Sequence, residues 1–236
     1  MKMNKLFATA FAAFVSISSF AQTVDEIVDK HIAALGGADK LKSVNTLYIE
    51  RSLSVQGMEI PSTSTMVVNK AVRSESTVMG NSMVQAYDGT SAWMVRPTMM
   101  GGTGEPEDMP AEQAKQLKGQ LDPFGPLFNY KEKGNKVELV GKEKVDKKDN
   151  YHLKVTSATG DVVDQYIDAT TYLLTKTKAS ANGVEVEISF SDYKDVDGIK
   201  FAYSMDMVNQ MGNLAFITNK IKINPPVDAA VFKKPK

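Results

Sequence analysis

The sequence predicts a mainly antiparallel β protein with a few helices, an α+β fold built on one large curved or barrel-like sheet. Three observations carry this. Apolar residues recur at every second position in segment after segment, as half-buried strands require. Turns such as "SATGD", "SANG" and "DVDG" are short and rich in Gly or Asp-Gly, which suits antiparallel neighbours. Strands do not alternate with helices, which argues against a parallel sheet.

The first element is helical. In "TVDEIVDKHIAALGG", Thr23 and Glu26 stand at capping-box spacing. Val24, Ile27, Val28, His31, Ile32 and Leu35 recur on one helical stripe, and Gly36-Gly37 ends it. "ADKLKSV" adds another turn or two. From Thr46 the period becomes two, with Leu47, Ile49, Leu53 and Val55 on one face. Strand-like segments follow near 58–68, 71–78, 82–87 and 91–96.

The last of these closes a hairpin, "YDGTSAWMVRP". Asp88-Gly89 turns the chain and Pro97 ends the return strand. Trp93 and Val95 share one face, Ala92, Met94 and Arg96 the other. Trp93 is expected in the concave core, with Met99 and Met100 bordering a cavity mouth in an apolar lip. The middle of the chain loses alternation. Pro110 suits a helix start, and Ala111, Ala114, Leu117 and Leu121 make a weak stripe. About five more strands follow, among them "YHLKVTS", "VEVEISF", "IKFAYSMDM" and "LAFITNKIKI". Two short helices cover so broad an apolar face only in part, so a cavity is expected.

Residues 1–21 read as a secretory signal peptide. Lys2 and Lys5 precede an apolar run from Leu6 to Val15, and Ser19 and Ala21 fit a cleavage site after Ala21. That run is too short for a stable membrane span. The expectation is an exported protein, periplasmic rather than secreted, with one domain over residues 22–236 and no transmembrane span in the mature chain. The chain has no cysteine, which excludes disulfides, thiol catalysis and thiolate metal sites. Its formal net charge is zero, so nothing points to nucleic acid.

Motifs for chemistry are sparse. His31 and His152 have no ligand spacing around them, and His31 lies on the apolar stripe of its helix, as a core histidine does. "FSDYKDVDGIKF" fails as a calcium loop. With Gly198 in sixth place, Tyr193 takes the first position and Ser204 the last, so Asp197-Gly198 reads as a hairpin turn. "GGTGEP" lacks the Lys-Ser/Thr and helix of a phosphate loop, and no Gly-x-Ser-x-Gly elbow occurs. No catalytic residue, cofactor or metal is expected.

Arg51 is out of place. It falls in phase with Leu47, Ile49, Leu53 and Val55, where an unpaired guanidinium would cost several kcal/mol. It must reach a rim, pair with a carboxylate, or face a hydrated or ligand-filled cavity. The chain holds only three arginines, Arg51, Arg73 and Arg96. It holds thirteen methionines, whose adaptable apolar surface suits either core filling or varied acyl chains.

The series "HIAALGGADKLKSVNTL", "YDGTSAWMV", "PLFNYKEKGNKVELVGKEKV", "YIDATTYLLTK", "FSDYKDVDGIKF" and "INPPVDAAVF" resembles the outer-membrane lipoprotein-sorting, LolA/LolB-like, proteins and their exported relatives. The resemblance implies an open, strongly curved half-barrel with helices covering its concave apolar face, which in the carriers takes up lipoprotein acyl chains. The carriers place an arginine before a proline in the strand leading to the "DGxxxW" hairpin. Here Lys70 stands there, no proline follows, and Arg73 lies three residues on. The expected function is a non-enzymatic periplasmic binding or carrier protein for lipoprotein acyl chains or another lipid-like ligand. The nominated ligand-facing residues are Arg51, Arg73, Trp93, Met94, Met99, Met100, Phe124, Leu127 and Phe128. The alternatives are an enzyme or enzyme accessory on the same scaffold, or an envelope module that binds a partner protein.

Overall fold

The computed structural model describes residues 22–55, 58–181, 184–209 and 212–235; the expected signal peptide lies outside them. The chain opens with helices α1 (Val24–Leu35) and α2 (Ala38–Lys42). Strands β1 (Thr46–Val55), β2 (Met58–Val67), β3 (Ala71–Val78), β4 (Asn81–Tyr87), β5 (Ala92–Val95) and β6 (Pro106–Asp108) follow. Helix α3 (Ala111–Gly119) and an irregular segment lead to β7 (Lys136–Val145), β8 (Lys148–Thr156) and β9 (Val162–Asp168). Strands β10 (Leu174–Ala181), β11 (Val184–Val196), β12 (Ile199–Asn209) and β13 (Gly212–Ile223) complete the series.

These thirteen strands form one antiparallel sheet in the order β6-β5-β4-β3-β2-β1-β13-β12-β11-β10-β9-β8-β7. Each half is a meander of neighbouring hairpins, and β1 pairs with β13 to join them. Strands β6 and β7 end the sheet without meeting, so it is an open, curved half-barrel. Seven strands follow the helical segment where alternation suggested about five. In β9 both faces are shielded, with Gln165, Tyr166, Ile167 and Asp168 all buried, so it shows no polar–apolar period. In β7 a bulge between Leu139 and Gly141 breaks the phase.

The helices lie on one face and bury the core against it. Ile27, Val28, Ile32 and Leu35 of α1, Leu41 of α2 and Leu117 of α3 join Leu47, Ile49, Met66, Val72, Leu153 and Ile221 in one buried cluster. Helix α1 starts as its capping box predicts, with the Thr23 hydroxyl accepting from Glu26 N and the Glu26 carboxylate from Thr23 N. It stops at Gly36, whose φ of 133° and close approach to the β11–β12 turn both demand glycine. A Cβ there would sit 2.4 Å from the Gly198 carbonyl oxygen. Asp197 and Gly198 both take positive φ in that turn, and the Asp195 carboxylate accepts from Gly198 N, so this segment is a hairpin. The segment after α3 seals the remaining core, with Leu127 and Phe128 buried and Phe124 set edge-on to Phe128 at 5.6 Å.

Candidate ligand site

The concave face has a filled half and an open half. Leu47 and Ile49 of β1 lie beneath the helices, but the strand continues in the same phase through Arg51, Leu53 and Val55. Strand β13 keeps step only because of a bulge. Ile49 pairs with Ile221 and Arg51 with Thr218, and the displaced Asn219 donates to the Ser52 hydroxyl on the outer face. The bulge resets the period, so that Ile221, Thr218 and Phe216 all face inward.

Cross-strand register then builds a continuous row. Ile60 opposes Leu53, Leu53 opposes Phe216, Phe216 opposes Met205, and Met205 opposes Phe190. Directly opposed residues share a face. All five are half-buried and stand outside the buried core cluster. Five strands at about 4.8 Å spacing give this floor a width of roughly 19 Å. Met207 and Ile188 extend it by a second opposed pair.

The same face turns polar across β2, β3 and β4. Ser62 opposes Arg51, Ser76 opposes Ser62, Ser64 opposes Ile49, and Ser74 bridges Ser64 to Gln85. The Ser74 hydroxyl donates to the Ser64 oxygen at 3.2 Å. Arg51 stands where this hydroxyl-lined side meets the apolar row. Its Nε is fully shielded and has no hydrogen-bond partner among the described residues, and the Thr218 hydroxyl opposite it is in the same state. Burial pulls the guanidinium pKa below its usual range.

No family model matches this chain, and no curated protein does. Solved structures match over most of its length. A DUF1329 family protein from Desulfovibrio piger shares 15% identity over 89% of this chain and 97% of its own, with a TM-score of 0.61. A LolA superfamily protein from Nitrosomonas europaea gives 14%, 91%, 99% and 0.60 in the same terms. A putative outer membrane lipoprotein-sorting protein domain from Vibrio parahaemolyticus gives 15%, 89%, 95% and 0.56. The fold is LolA-like.

Within this LolA-like half-barrel the nominated residues separate into three places. Arg51 alone reaches the open half of the concave face. Met94, Phe124, Leu127 and Phe128 lie in the filled half, packed with the core. Met94 also walls a cavity of about 330 Å³ beneath α3, with Met83, Gln85, Arg96 and Leu117. Met99 and Met100 form an exposed single turn after β5, where the Met99 sulfur accepts from Asn81.

Trp93 and Arg73 are on the other face. The expectation that Trp93 packs in the concave core is wrong: it opposes Ala86, which opposes Arg73, while its neighbour Met94 points to the helices. Trp93 forms a separate small cluster with Val84 and Ala86, and its indole N–H donates to the Phe232 carbonyl at 2.7 Å. The Arg73 guanidinium lies 5.4 Å from the Trp93 ring, pairs with Glu75, and donates to the Val231 carbonyl. A cleft of about 670 Å³ opens beside them, between the outer face of β1–β3 and the C-terminal tail, lined by Tyr48, Glu75, Lys222 and Pro225.

The row residues Phe216, Met205 and Phe190 were not nominated from sequence. Alternation marks them as inward-facing, yet it does not tell a covered strand end from an uncovered one. Both histidines are held by their neighbours. His31 is buried and its Nδ1–H donates to the Tyr172 carbonyl at 2.8 Å. His152 stacks on Tyr166 between the Glu143 and Asp164 carboxylates.

Proposed function

We propose that this is a periplasmic, non-enzymatic binding or carrier protein that holds the acyl chain of a lipid-like ligand in the open half of its concave face. The observation that carries this reading is the in-register row Ile60–Leu53–Phe216–Met205–Phe190. A contiguous half-exposed apolar surface of this kind in a curved sheet marks a binding site. Burying an acyl chain there contributes about 0.8 kcal/mol per methylene.

The LolA-like fold supports the reading by analogy, since the putative outer membrane lipoprotein-sorting protein domain from Vibrio parahaemolyticus shares it. Among the described residues no helix is long and apolar enough to cross a membrane. An acylated lipoprotein and a free lipid are both ligands of the required chemistry. The test is saturable displacement of a fluorescent fatty-acid probe by lipids and by a lipopeptide. Expected is one-to-one competition that Phe216→Gln weakens; failure of every acylated competitor to bind would sink the proposal.

A further inference from the structure

The open trough has a polar end that an apolar tail cannot use. We propose that Arg51 and Thr218 form a head-group site which selects amphiphiles carrying a carboxylate. This rests on the trough being the acyl site and adds what the other end of the ligand must be.

Arg51 and Thr218 are directly opposed on β1 and β13, which places their Cβ atoms about 5 Å apart on one face. Thr218 is 3% exposed and its hydroxyl has no partner among the described residues; the shielded Arg51 Nε has none either. A shielded N–H donor beside a shielded hydroxyl, both unpaired among the described residues, is costly to leave so, and an acceptor brought to the pair would satisfy both. Ser62, Ser64 and Ser74 stand nearby, but the Ser62 hydroxyl donates to the Arg51 carbonyl and Ser74 to Ser64, and none of them accepts from the shielded Nε.

The charge balance narrows the acceptor. The row on one side of Arg51 holds Ser64, Ser74, Gln85 and Ile221, and the row on the other holds the five apolar residues. Neither row contains a second cation or any carboxylate. A guanidinium fork matches a carboxylate in shape and cancels its single charge, with the hydroxyl free to donate a further bond. A phosphate monoester would bring a second charge with no cation to meet it. One row separates Arg51 from Leu53, about 7 Å along the strand, and Phe190 lies about 14 Å further across three strand spacings. A carboxylate on Arg51 therefore leaves its tail on the apolar floor.

The test uses the mature protein with hexadecanoate, hexadecanol and hexadecyl phosphate, each below its micelle concentration and at neutral pH. Wild type is expected to bind hexadecanoate at least tenfold more tightly than hexadecanol. In Arg51→Gln that ratio falls to about one, and in Thr218→Val it falls about threefold. The outer-face variant Lys222→Gln keeps the full ratio. Equal affinity of the wild type for acid and alcohol overturns the head-group site while leaving the acyl trough standing. Tighter binding of the phosphate overturns the carboxylate assignment. Failure of all three to bind removes the trough and this inference with it. Thermal unfolding of each variant shows whether a lost ratio reflects lost structure.

Discussion

The Trp93 indole N–H reaches the Phe232 carbonyl at 2.7 Å, 139 positions along the chain. This bond ties the C-terminal tail across the outer face of β5. Asp228 caps the tail's last turn, and Lys234 pairs with Asp108 beyond it. Trp93 is the only tryptophan, so its emission reports on the tail and not on the concave face. Trp93→Phe leaves a buried carbonyl unpaired and should cost about 1–3 kcal/mol in denaturant unfolding. Deleting residues 229–236 should red-shift the emission of the folded protein. Saturating the trough with ligand should leave it nearly unmoved, and a large shift on ligand binding would contradict the placement of Trp93.

Arg51 offers a prediction against intuition. A guanidinium whose Nε is shielded and unpaired is a net cost, and Arg51→Met keeps the apolar stem while removing the charge. The unliganded variant should be more stable than wild type by about 1–3 kcal/mol, seen as a higher unfolding midpoint. A destabilised Arg51→Met would mean that the guanidinium has a partner in solution.

The apolar row should behave as a surface for ligand and not as core. Phe216→Gln should weaken acyl binding at least tenfold while lowering stability by less than about 1 kcal/mol. Lengthening the tail by two methylenes should tighten wild-type binding roughly tenfold, since each is worth about 0.8 kcal/mol. Calorimetric titration of a homologous fatty-acid series checks both.

His31 sets a pH dependence. Burial lowers its pKa from the ordinary 6.5, partly opposed by the bond to the Tyr172 carbonyl. The folded state therefore prefers the neutral ring, and the unfolded chain binds a proton first as pH falls. The stability from His31 is fully present above pH 6.5 and is lost as pH drops through the lower folded value. The slope is at most about 1.4 kcal/mol per pH unit. His31→Gln should flatten unfolding free energy between pH 7 and pH 5, measured by urea titration.

Gly36→Ala tests the fastening of α1 to the β11–β12 turn. The added Cβ would meet the Gly198 carbonyl at 2.4 Å in a backbone conformation that L residues rarely adopt. A loss of roughly 2 kcal/mol or more is expected, against a small effect for Gly141→Ala, where nothing lies within 4 Å.

Much of this molecule was legible along the chain. Period and capping determined α1, its start at Thr23 and its stop at Gly36, and strands β1 to β5 nearly to the residue. The phase of β1 marked Arg51 as the misplaced charge. These are local properties, fixed by spacing and backbone preference within a few residues. The rest depended on what covers each face. Alternation says that Trp93 and Met94 point apart but not which of them meets the helices; the tail from Pro225 onward decided that by packing on the Trp93 side. The bulge at Asn219 joined Thr218 and Phe216 to the inward face of β1 through a pairing with residues more than 160 positions away. The concave face stays open at one end because the helices cover Leu47 and Ile49 and leave Leu53 half-buried outside the core. That is a matter of helix length against strand length in three dimensions, and no periodicity records it.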